Sequence, residues 1–176
     1  MASVERMYVA AYMAAHWPEG GYTLGVNLGP LPPELVKTMG YQAAAQLAWP
    51  WRPEVDAVRW SKPGLIMIEA KAYKFMDVFA KLVWYGSLIP QTEEMREWWG
   101  QPNQLRVVVP EATDVLRTLA DQAGIVVDVW STPELEPHLA RYRRYWGKDY
   151  QIQRQLELQK LAELGFEPRT KRTILG

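Results

Sequence analysis

The stretch Leu65-Ile66-Met67-Ile68 runs without a break into Glu69-Ala70-Lys71. Four consecutive large apolar residues suit a strand buried on both faces, as in the middle of a sheet covered by helices. The residues around it follow from that placement. Residues 54–60 alternate in the β manner, and Ser61-Lys62-Pro63-Gly64 is a turn, so 54–60 and a strand from Leu65 that ends in Glu69 and Lys71 are predicted to form a hairpin. Residues 73–89 return to a helical period, with Phe75, Val78, Phe79, Leu82, Tyr85 and Ile89 on one broad face and Pro90 as the stop. A strand over 105–109, a helix over 111–123 closed by Gly124 and a strand over 125–130 come next. Helices between the last three strands impose crossovers, so part of the sheet is expected to be parallel.

Upstream, residues 3–16 are predicted to be a helix capped by Ser3, with Met7, Ala10, Ala11 and Ala14 on its apolar face. A strand over 22–28 and an alanine-rich helix over 34–47 lead to the hairpin. The expected fold class is α/β, a mixed sheet flanked by helices and built from residues 1–132. Residues 133–176 are expected to add a C-terminal helical extension, broken near Gly147, and a basic tail.

With no cysteine in 176 residues, disulfide frameworks, CxxC zinc sites, iron–sulfur clusters and thiol nucleophiles are excluded. No phosphate-cradling glycine motif of the G-x-x-x-x-G-K-[ST] or G-x-G-x-x-G kind is present. The N-terminus lacks a basic region followed by an apolar run, and no stretch approaches 18 apolar residues. No membrane association is expected, and the expected setting is the cytoplasm or a particle (a virion) assembled there. His16 and His138 have no partner at metal-ligand spacing. The zero net charge is uneven: residues 1–134 hold 11 Lys/Arg against 15 Asp/Glu, whereas residues 135–176 hold 9 against 5. The basic third is the first place to look for contact with a polyanion. There Arg141, Arg143, Arg144 and Lys148 alternate with Tyr142, Tyr145 and Trp146. Such mixing suits a surface that follows a nucleic-acid backbone, and equally an amphipathic helix with its aromatics packed inward. Nine tryptophans, most beside turns or element ends, hint at partners.

The chemistry concentrates at one end of the hairpin. The turn at 61–64 returns Asp56 to the level of Glu69 on the neighbouring strand, and residues two apart on a strand, Glu69 and Lys71, share a face. Two carboxylates and an ammonium therefore converge. The carboxylates repel each other, and a hard divalent cation such as Mg²⁺ or Mn²⁺ relieves the repulsion. A lysine beside it can position a water and offset charge on a phosphate. The same three residue types at strand ends also make ordinary salt-bridge clusters.

The segments Pro53-Glu54-Val55-Asp56 and Gly64-Leu65-Ile66-Met67-Ile68-Glu69-Ala70-Lys71 resemble the core signature of the PD-(D/E)xK nuclease superfamily, strongest over residues 53–89 and extending over about 1–110. The proline stands three residues before the aspartate instead of directly preceding it, and the helix at 34–47 is an insertion. The resemblance implies a restriction-endonuclease-like αβββαβ core and a Mg²⁺-dependent deoxyribonuclease. It makes Asp56 and Glu69 the metal ligands, Lys71 the catalytic lysine, and Glu5 of the first helix a further catalytic carboxylate, with Glu19 a weaker choice. Lys81 and Tyr85, one helical turn apart after the lysine, match a pair that some lineages direct at DNA; core packing is the other reading of Tyr85. With all three central residues present, an intact site is expected. DNA is the implied partner, alongside further copies of the chain or a larger protein complex. A second reading is a structural or assembly component of a phage or mobile element built on the same fold.

Overall fold

The computed structural model describes residues 4–62, 64–73, 75–145 and 148–165. Five strands form one sheet in the order β1-β2-β3-β4-β5, with β1 (Tyr22–Asn27), β2 (Glu54–Trp60), β3 (Leu65–Ala70), β4 (Asn103–Val109) and β5 (Ile125–Val129). The first two pairings are antiparallel and the last two parallel. The mixed α/β sheet expected from the crossovers is therefore present. The apolar run Leu65–Ile68 occupies the middle strand, where Leu65, Met67 and Ile68 are buried. The hairpin turn closes with Ser61 donating from its backbone and from its hydroxyl to the Gly64 carbonyl, at 3.1 and 2.8 Å.

Alternation along the strands sets the two faces of the sheet. One carries Met67, Leu105, Val107 and Val109. Helix α4 (Val78–Leu88) and helix α5 (Asp114–Gln122) pack there through Val78, Phe79, Leu82, Leu116 and Ala120. The other face carries Arg106 and Asp128 and is covered by α1 (Val4–His16). The buried side of α1 is Tyr8, Val9, Tyr12 and Met13, not the expected Met7, Ala10, Ala11 and Ala14; Met7 is half exposed. The helical period was right and the phase wrong, because the tyrosines have polar partners inside. Tyr12 donates to Asp128, which Arg106 also holds at 2.8 Å, and Tyr8 donates to the Trp130 carbonyl. Ser3 lies outside the described residues.

The inserted helix is two helices, α2 (Pro33–Met39) and α3 (Tyr41–Ala48), parted by Gly40 at φ 79° and ψ 163°, a conformation that admits no helix. Neither inserted helix contributes much to the core: α2 has no buried residue and α3 buries only Ala44 and Ala48. The link back to the sheet is pinned by Arg52. Its guanidinium donates to the carbonyls of Leu28 and Gly29 and to both carboxylate oxygens of Glu94. The helix after β3 begins at Val78, later than expected, behind a 3₁₀ turn over Phe75–Asp77. Thr113 caps α5, its hydroxyl accepting from the Leu116 amide.

The chain divides into two compact units between Leu135 and Glu136. The second holds α6 (Glu136–Tyr145) and α7 (Lys148–Glu163); the expected break at Gly147 lies outside the described residues. No helix among the described residues is long and apolar enough to cross a membrane.

Gly64 is where β3 begins beside β4. A Cβ there would lie 2.0 Å from the Pro102 carbonyl oxygen, a backbone atom that cannot turn aside. Gly64→Ala is expected to destabilise the fold by about 1–3 kcal/mol, in the range of overpacked interiors. Chemical denaturation checks this; an unchanged midpoint would contradict the close approach of these two strands.

Candidate active site

The register that pairs Ala57 with Ile68 puts Asp56 level with Glu69, on the face that α4 covers. The two carboxylates are locked to each other's strands. The Ala70 amide donates to Asp56 Oδ2 at 2.9 Å, and the Asp56 amide donates to Glu69 Oε2 at 3.3 Å. Each side chain thus extends the strand pairing past its last backbone partners, Ala57 and Ile68. Glu69 is 1% exposed, and its other oxygen, Oε1, is ion-paired to Lys81 of α4. A carboxylate so enclosed needs a partner, because desolvating an unpaired charge costs several kcal/mol.

Lys71 follows the end of β3, and its amide donates to the Val108 carbonyl at 2.9 Å. Its ammonium stands 3.7 Å from Glu5 Oε1 at the start of α1 and 3.8 Å from Asp77 Oδ2 just before α4. These are ion-pair distances, longer than hydrogen bonds. Asp77 escaped the sequence reading. Its signal was an acidic residue directly ahead of a helix, usually explained as a cap, but here the side chain makes no capping hydrogen bond.

Electrostatics bind the group together. Burial pushes Glu69 up to about 7, helped by the charge of Asp56 and opposed by Lys81. Burial also raises Asp56, against the Ala70 amide and the two lysines. Glu5 is raised by burial, with Lys71 opposing and Asp56 adding to the rise. Burial lowers the Lys81 ammonium, but Glu69 more than offsets it and the net direction is up.

The structure brings Asp56, Glu69, Lys71, Glu5 and Lys81 to one end of β2 and β3. It does not bring Glu19, which lies 3.6 Å from Arg59 by the first turn. Of the two readings of Tyr85, the structure has the packed one: it is buried, its hydroxyl donates to the Glu54 carbonyl at 3.0 Å, and its ring lies 5.2 Å under the Lys81 ammonium. It supports Lys81 and does not reach outward. Lys81 itself is committed to Glu69, although its side chain is one-third exposed. Of the basic cluster, Arg141 is exposed in the second unit and Arg143 pairs with Glu136 at 2.9 Å; the side chains of Arg144 and Lys148 lie outside the described residues.

Among the described residues no group of three or more His, Cys, Asp or Glu is placed to hold a metal. The donor set that fits a hard cation is the pair Asp56 and Glu69. Both are oxygen donors, they are level across one strand pairing, and the charge of Asp56 disfavours ionisation of Glu69. Lys81 supplies the positive charge at Glu69 in this structure.

No family model matches the chain, and no curated protein does. Among solved structures, it is similar to the crystal structure of a repair endonuclease from Pyrococcus abyssi, at 14% identity and a TM-score of 0.46. The match covers 76% of this chain and 50% of that one, so the chain spans about half the length of the endonuclease.

The raised acids give stability a definite pH dependence. Between about 4.5 and 7 the folded state keeps a proton on Glu69 that the unfolded chain releases. This contribution is fully present below about 4.5 and is lost as pH rises through about 7. Glu5 and Asp56 act in the same direction. The melting temperature measured in EDTA is expected to fall across this window, and the fall is expected to flatten in Glu69→Gln. A wild-type curve that rises over the same window would contradict the buried acid pair.

Proposed function

We propose that the chain is a metal-dependent nuclease that hydrolyses phosphodiester bonds of DNA. The observation that carries this reading is the interlocked pair of half-buried Asp56 and buried Glu69, level at the end of β2 and β3, with the Lys71 ammonium held near them by Glu5 and Asp77. Asp56 and Glu69 would hold Mg²⁺ or Mn²⁺. When bound, such an ion polarises a phosphoryl oxygen and makes its water more acidic. The remaining work belongs to the chain. Lys71 orients the attacking water and offsets the negative charge that builds on the phosphate. Glu5 and Asp77 hold the Lys71 side chain in place. Lys81 balances the charge of Glu69, and its side chain, one-third exposed, lies where a neighbouring phosphate could add to that pairing.

The second reading is an assembly component of a phage or mobile element that keeps the nuclease-like fold without the reaction. It is favoured by the Glu69–Lys81 ion pair, which already neutralises one of the two carboxylates without a metal.

Incubation with linear, circular and single-stranded DNA in Mg²⁺, Mn²⁺ or EDTA separates the two. Cleavage is expected with either metal and not in EDTA. Lys71→Ala and Asp56→Ala are each expected to lower its rate by at least about 100-fold, the scale on which acid–base and electrostatic groups act. A folded wild-type protein that cuts none of these substrates would move the assignment to the assembly reading.

A further inference from the structure

Helix α4 buries Val78, Phe79, Leu82, Tyr85 and Leu88 against the sheet, but Trp84 lies off that stripe and its side is 52% exposed. The position is one helical turn beyond Lys81, on the i, i+3 spacing that makes two helical residues neighbours. The rings of Trp84 and Tyr85 are 5.5 Å apart and tilted by 40°, and the Tyr85 ring carries the Lys81 ammonium at 5.2 Å. A continuous line of contacts therefore runs from Glu69 through Lys81 and Tyr85 to the half-exposed Trp84 indole. Lys81, paired to Glu69 and one-third exposed, and half-exposed Trp84 thus lie one helical turn apart on α4, both in contact with the Tyr85 ring.

That combination matches one nucleotide: a phosphate for the ammonium and a base for the indole. An indole face can stack only on a base whose own face is uncovered, and in a duplex each base face is covered by the next base pair. A single strand or an unpaired end offers the face directly, and stacking of this kind is indifferent to sequence. Lys81 supplies the electrostatic half, which either form of DNA can use.

We propose that Trp84 is a stacking platform for an unpaired base, so that the substrate engaged at this site is single-stranded DNA or an unpaired DNA end. The inference rests on the nuclease reading of Asp56, Glu69 and Lys71, and it extends that reading to a substrate class.

Binding tests it independently of cleavage. Fluorescence anisotropy of a labelled single-stranded oligonucleotide and of a blunt duplex of the same sequence, in EDTA and in Ca²⁺, compares wild type with Trp84→Ala and Trp84→Phe. Trp84→Ala is expected to weaken single-strand binding by about tenfold and duplex binding by less than about twofold, and Trp84→Phe to recover most of the loss. Melting temperatures of the three proteins are expected to agree, as suits a half-exposed side chain. Equal loss for the two forms of DNA, no loss for either, or wild-type protein that binds neither would overturn the proposal. If Trp84→Ala behaves as expected while Lys71→Ala leaves cleavage intact, the platform stands and the catalytic assignment fails. If Lys71→Ala abolishes cleavage while Trp84→Ala binds single strands like wild type, the reverse holds.

Discussion

The reciprocal lock between Asp56 and Glu69 is the contact on which the rest of the site depends. Each carboxylate accepts a backbone amide from the other's strand, so the charges are positioned by the sheet itself and not by flexible side chains. Burial then makes ionisation costly, and the surrounding cations answer that cost: Lys81 from α4 directly, Lys71 at longer range. The helices are placed accordingly. α4 must cover the Glu69 face to deliver Lys81, and α1 must begin near the end of β3 for Glu5 to reach Lys71. An apolar pair at 56 and 69 would suit the same covered position without charge or partners, which makes these carboxylates costly to keep if they only filled space.

Much of this geometry was legible in the sequence. An apolar tetrad running into Glu-x-Lys marks a central strand that ends in charge, and a four-residue turn fixes which residue of the preceding strand comes level with Glu69. Strand pairing is periodic, so a correct turn carries the register with it. Helix phase is harder to read. In α1 the alanines and Met7 looked apolar enough to face inward, but Tyr8 and Tyr12 bury more surface and find hydrogen-bond partners in Trp130 and Asp128, which lie more than a hundred residues away. No local pattern announces such partners.

The same limit explains why the sequence left two readings of Tyr85 open and did not reveal the partner of Lys81. Spacing of four residues on a helix correctly made them neighbours, but it cannot say which way the pair points. The Glu54 carbonyl and the Glu69 carboxylate, both supplied by the sheet, turn them inward. Asp77 was overlooked for a related reason: acidic residues ahead of helices are common, and only the position of Lys71 distinguishes this one.

The two inserted helices have little hold on the core. α2 has no buried residue, Gly40 parts it from α3, and only Ala44 and Ala48 of this segment are buried. Few buried contacts mean a low free energy of local opening, so α2 can unfold and refold while the sheet stays intact. Arg52 marks the boundary of that freedom, because it fastens the chain to the Leu28 and Gly29 carbonyls just before β2 begins. For a chain in the course of evolution, this makes residues 33–48 a region where length and composition can drift at little cost to the strands that carry the acids.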